Sequence, residues 1–139
     1  MDKKLDFLVI DNEITVREMI GKYLESLSTE KEVDVSVTLA EDGKEGLREY
    51  FKKIGEGYPY DCVLTDLNMP GVDGADVTRA IKQVSTGKTL VYVITGGEGT
   101  VVYENLLLKL GSMAPDGIIP KPFGGKELEE ILDKVMDYS

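Results

Sequence analysis

Cys62-Val63-Leu64-Thr65-Asp66-Leu67-Asn68 runs apolar residues straight into a hydroxyl, a carboxylate and an amide. Apolar residues in succession, instead of alternating with polar ones, suit a strand covered on both faces, as in a parallel sheet. Phe7 to Ile10, Leu90 to Ile94 and Gly117 to Ile119 repeat the pattern. Val33, Val35 and Val37 differ, because Asp34 and Ser36 alternate with them, and they read as an edge strand with one wetter face.

Between these runs the apolar period becomes helical. Ile20, Tyr23, Leu24 and Leu27 form one stripe, Leu47, Tyr50, Phe51 and Ile54 a second, and Val77, Ala80, Ile81 and Val84 a third. Leu106, Leu107 and Leu110 form a fourth, and Leu128, Ile131, Leu132 and Val135 a fifth. Five strands alternating with five helices predict an α/β doubly wound sheet of right-handed βαβ units. Gly, Pro and Asp punctuate the joints, as at Glu56-Gly57-Tyr58-Pro59 and Ala114-Pro115-Asp116-Gly117. The expected organisation is one domain over residues 1–139, with no output domain attached.

Composition narrows the chemistry. A formal net charge of −10 argues against nucleic-acid binding, which needs Lys and Arg to displace counterions. Histidine is absent, which removes imidazole zinc sites, Ser/His triads and phosphohistidine carriers. The lone Cys62 sits among apolar neighbours and reads as a small core residue in a reducing compartment. No run approaches the ~20 apolar residues of a membrane span. Met1-Asp2-Lys3-Lys4-Leu5 carries no apolar export signal, so the expected location is the cytoplasm.

Ligands of an open parallel sheet gather at the carboxyl ends of its strands. The first strand ends in Asp11-Asn12-Glu13, the third in Thr65-Asp66-Leu67-Asn68, the fourth in Thr95-Gly96-Gly97 and the fifth in Pro120-Lys121-Pro122-Phe123. Singly, such residues are ordinary caps, turns or surface groups. Together they deliver carboxylates, a hydroxyl and an ammonium to one rim. Oxygens from Asp11, Asn12 and Asp66 suit a hard divalent cation such as Mg²⁺. A phosphoryl group on Asp66 would then meet the metal, Lys121 and the Thr95 hydroxyl, the surround that phosphoryl transfer needs.

The chain resembles the receiver domain of two-component response regulators. The matching residues are Val9-Ile10-Asp11-Asn12-Glu13, Leu64 through Gly74, Ile94-Thr95-Gly96 and Lys121-Pro122-Phe123, in order and at the ends of the right strands. The resemblance implies a flavodoxin-like five-stranded sheet of order 2-1-3-4-5. It makes Asp66 the phosphoacceptor, served by a sensor histidine kinase or phosphotransferase, Thr95 the switch hydroxyl, Gly96 the small residue at the phosphoryl entry, and Lys121 the ion-pair partner. It assigns Mg²⁺ to Asp11, Asn12, Asp66 and the backbone carbonyl of Asn68. Such a domain is a phosphoacceptor switch, not an enzyme. It also implies a cis peptide at Lys121-Pro122, and a homodimer or target protein docking on the fourth helix, fifth strand and fifth helix.

Three departures stand out. Asn12 replaces the second acid of the usual pair, which weakens Mg²⁺ binding unless Glu13 turns in to help. Ile118 stands where many receivers carry an aromatic switch residue, and Pro120 requires the fifth strand to be an edge. Lys121 is expected to hold the Asp66 pKa down. On the fourth helix, Val102, Leu106, Leu107 and Leu110 are expected to face the sheet and to leave Val101 and Leu108 outside.

Other readings are weaker. Gly87-Lys88-Thr89 has the tail of a phosphate-binding loop but precedes a strand, and reads as a turn. Gly97-Glu98-Gly99 lacks the third glycine of a dinucleotide fingerprint and reads as a flexible loop. Two rival functions remain: a pseudo-receiver that only binds partners, and an aspartate-nucleophile phosphatase, which would want an acid where Asn68 stands.

Overall fold

In the computed structural model, residues 4–85 and 87–138 are described, so the first three residues of the N-terminal reading lie outside them. The elements alternate as expected: β1 (Lys4–Ile10), α1 (Ile14–Lys31), β2 (Asp34–Ala40), α2 (Gly43–Gly55), β3 (Cys62–Asp66), α3 (Gly74–Ser85), β4 (Leu90–Thr95), α4 (Gly99–Leu110), β5 (Gly117–Pro120) and α5 (Gly125–Tyr138). A short 3₁₀ turn, Gly111–Met113, follows α4. The five strands pair in the order β2-β1-β3-β4-β5, and every pair is parallel.

The unbroken apolar runs are explained by what covers them. Phe7, Val9 and Leu64 point to one face, where Ile20 and Leu24 of α1 and Leu128 and Leu132 of α5 close the core. Leu8, Ile10 and Val63 point to the other, against Tyr50 of α2 and Val77 and Ile81 of α3. α4 adds Leu106 and Leu110 over Val93 of β4. Successive strand residues face opposite sides, so a sheet covered twice needs apolar residues at every position. β2 and β5 are the edges, and Val35 and Val37 pack only partly buried against the α1 side. Pro120, which has no N–H to give, is exposed on edge strand β5.

Some stripe residues sit elsewhere than expected. Leu107 is 42% exposed, and the inward stripe of α4 is Val102, Leu106 and Leu110, a spacing of four that leaves Leu107 about 100° around the helix. Phe51 lies at the shoulder of α2, edge-on to Tyr50 at 5.8 Å between ring centroids, and Val84 is exposed. Tyr23 is partly exposed because it lies over the start of α5, where a Cβ on Gly125 would meet its ring at 3.0 Å.

Gly87-Lys88 is a turn and bend leading into β4, as read. Gly97-Glu98-Gly99 leads directly into α4. Glu98 is the N-cap of α4, its two carboxylate oxygens accepting the N–H groups of Thr100 at 3.2 Å and Val101 at 2.9 Å, and Gly99 is already helical. The Lys121-Pro122 peptide is cis.

Candidate functional site

Four strands end side by side and lay their last residues on one rim. Asp66 closes β3 opposite Ile94, and Thr95 closes β4 opposite Pro120, with Asp11 one residue past β1 and Lys121 one past β5. Lys121 Nζ lies 3.9 Å from Asp66 Oδ1 and 3.4 Å from Glu13 Oε1. Ligand oxygens of Asp11, Glu13 and Asp66 all lie within 4.8 Å of one another.

Asp11 is fully buried. Its Oδ1 accepts the Glu13 N–H at 2.8 Å, while Oδ2 has no partner. A buried carboxylate oxygen without a donor is costly, and a cation is the partner such an oxygen lacks. Burial raises the Asp11 pKa above the usual carboxylate value, against the Glu13 N–H, and the Asp66 charge raises it further. The donor set of carboxylate oxygens, dry on one side and open on the other, fits a hard divalent cation.

Asp66 shows the same conflict, and here the sequence expectation is corrected. Burial raises its pKa, and this outweighs the lowering by Lys121 and by the Asn68 N–H. The ammonium at 3.9 Å is too far to reverse the desolvation. Thr95 is buried, and its Oγ1 accepts the Gly97 N–H at 3.0 Å. Gly96 is exposed, and a Cβ there would meet nothing within 4 Å. Asn12 and Asn68 are both exposed at the mouth, and Glu13 joins Asp11 and Asp66 in the acidic cluster.

Two contributors were not anticipated. Arg17, in the first turn of α1, donates from Nη1 to the Asp11 carbonyl at 2.7 Å. A basic residue at a helix N-terminus opposes the macrodipole, and that mismatch was the available signal. Gly74 lets α3 start against β3, since a Cβ would come within 2.5 Å of the Asp66 carbonyl oxygen and 2.7 Å of Leu67 Cα.

The fold and rim define a flavodoxin-like α/β domain with an acidic pocket at the carboxyl ends of its strands, and the family assignment follows. The chain belongs to the response regulator receiver domain family, whose model matches residues 7–133. It is similar to the probable chemotaxis protein CheY of Rhizobium etli, 23% identical over 133 residues, covering 96% of this chain and 93% of that protein. Chemotaxis protein CheY-3 of Vibrio cholerae is 26% identical over 139 residues, covering 99% and 95%. Among solved structures, a response regulator receiver domain protein from Clostridium thermocellum superposes with a TM-score of 0.78 at 24% identity, covering 96% of this chain and 94% of that one. Receiver domains are phosphoacceptor switches rather than enzymes, and no helix among the described residues is long and apolar enough to cross a membrane.

Proposed function

We propose that this domain accepts a phosphoryl group on Asp66 from the phosphohistidine of a sensor kinase or phosphotransferase in the cytoplasm, and relays it as a conformational change. The observation that carries the reading is the convergence on Asp66 of Lys121 and two further carboxylates, one of them the buried Asp11 with an unpartnered oxygen. An Asp66 carboxylate oxygen forms the new O–P bond as the P–N bond of the donor imidazole breaks, its electron pair returning to the ring nitrogen. Mg²⁺, when bound, supplies positive charge against the transferring oxygens. Asp11, Asp66, Asn12 and the Asn68 carbonyl are the proposed oxygen ligands. Lys121 balances the charge left on the phosphoryl group, and Thr95 turns its hydroxyl to it, giving up the Gly97 N–H.

The release at Gly97 reaches α4 within two residues, and α4, β5 and α5 are the proposed surface for a second copy or a target protein. Incubation with a small phosphodonor and Mg²⁺ should raise the intact mass by one phosphoryl group, and Asp66→Asn should abolish the increase. Modification of that variant with wild-type kinetics would overturn the site. Failure of the wild type to bind Mg²⁺ or to be modified would favour the pseudo-receiver. Lys121→Ala should still be modified yet fail to change its partner binding.

A further inference from the structure

Building on that reading, we infer that Glu13 is the exchangeable arm of the cation site: it pairs with Lys121 in the arrangement described above, and turns to a divalent cation held by Asp11 and Asp66, releasing Lys121. The first reason is chemical. Position 12 offers a neutral, exposed amide where a hard cation calls for charged oxygen, and the carboxylate nearest to making good that loss is Glu13. Its ligand oxygen already lies within 4.8 Å of those of Asp11 and Asp66, and Asp11 is fully buried with its Oδ2 unpartnered.

The second reason is mechanical. Glu13 is the N-cap of α1, and its backbone is held at both ends. Its N–H donates to Asp11 Oδ1, and its carbonyl accepts the N–H groups of Val16 and Arg17, each at 3.1 Å. Its side chain makes no capping bond. A restrained backbone, with a side chain tied only to Lys121 and not to the helix end, allows the carboxylate to swing without disturbing β1 or α1.

The third reason is electrostatic. The Glu13–Lys121 contact is 3.4 Å long and its carboxylate side chain is 59% exposed, the kind of ion pair that solvent and salt leave weak. A divalent cation carries twice the ammonium charge and approaches oxygen more closely, so it wins the carboxylate. Lys121 is then released from Glu13 and left 3.9 Å from Asp66, whose charge the cation now shares. Cation binding thereby frees the ammonium for an incoming phosphoryl group, beyond merely neutralising the rim.

Binding of Mn²⁺ alone, followed by the loss of its free-ion paramagnetic resonance signal at physiological ionic strength, tests the exchange without any phosphodonor. The set comprises the wild type, Glu13→Gln, Lys121→Met, the double variant and Asp11→Asn, with urea unfolding of each to show that it is folded. Glu13→Gln should weaken Mn²⁺ by at least about tenfold, since removal of even an outer partner of a ligand costs that much. Lys121→Met should tighten Mn²⁺, and that gain should shrink by at least about threefold when Glu13→Gln is also present, the signature of coupled groups. Wild-type affinity in Glu13→Gln, or a purely additive double variant, overturns the exchange while loss of binding in Asp11→Asn leaves the cation site standing. No Mn²⁺ binding by the wild type, or unaltered binding by Asp11→Asn, overturns the cation site and the exchange together.

Discussion

The two oxygens of Asp11 have different fates, one accepting the Glu13 N–H and the other buried without a partner. Such an arrangement stores instability in the free domain for use by a ligand. Asp11→Asn removes a buried charge beside Asp66 while keeping an oxygen for the Glu13 N–H. It should stabilise the metal-free protein by about 1 kcal/mol in urea unfolding, within the cost of an unsatisfied buried group. Destabilisation would mean that the orphaned oxygen is not strained. Gly74 tests the opposite kind of restraint. Gly74→Ala drives a methyl group into the Asp66 backbone and should cost about 2 kcal/mol or more and slow phosphorylation. Gly55→Ala is its control, because a Cβ there meets nothing, and it should be neutral or stabilising by about 0.5 kcal/mol.

At the scale of elements, α4 joins the rim to an apolar surface. Its inward residues are Leu106 and Leu110, with Val102 partly covered, while Val101, Leu107 and Leu108 face outward, Leu108 at 87% exposure. Leu108→Glu should therefore leave stability within about 0.5 kcal/mol, as for surface changes generally. In sedimentation, a beryllofluoride mimic of the phosphoryl group should drive the wild type, and not this variant, to self-associate. Association indifferent to both the mimic and the substitution would remove this face as a phosphorylation-controlled dimer surface. The link to the rim is the hydrogen bond from Gly97 N–H to Thr95 Oγ1. If Thr95 turns to the phosphoryl group, the Gly97 amide loses its acceptor, and its hydrogen exchange should accelerate on adding the mimic.

Over the whole molecule, the core takes in three phenols, Tyr50, Tyr60 and Tyr92. Burial, with smaller contributions from Cys62 and Asp116, pushes the Tyr92 hydroxyl from 10.0 up to about 12, and burial raises Tyr50 and Tyr60 in the same direction. A phenol with a raised folded-state pKa keeps its proton in the native protein after the unfolded chain has lost it. Its stabilisation is complete below the unfolded value near pH 10 and is lost as pH rises toward about 12. Urea midpoints should therefore fall across that window, and Tyr92→Phe should make the fall shallower. An unchanged slope in the variant would place the alkaline sensitivity on other groups.

The two-sided cover of the sheet and the polar rim were legible in the sequence because each rests on local pattern, whereas the strand order came only with the resemblance to receiver domains. Residue alternation decides how many faces of a strand are dry, and the residue after a strand decides what reaches its end. Cys62 through Asp66 carried both kinds of information in one stretch. Only tertiary structure decided that Leu107 turns outward and that Tyr23 covers Gly125, since the edge of a helix stripe depends on how wide its neighbour is. The direction of the Asp66 pKa was likewise beyond local reading: burial by many residues outweighed one visible lysine. So was the pairing of Glu13 with Lys121, which are 108 positions apart. Charge balance and burial are sums over neighbours that the chain brings together only when it folds, and no local pattern contains that sum.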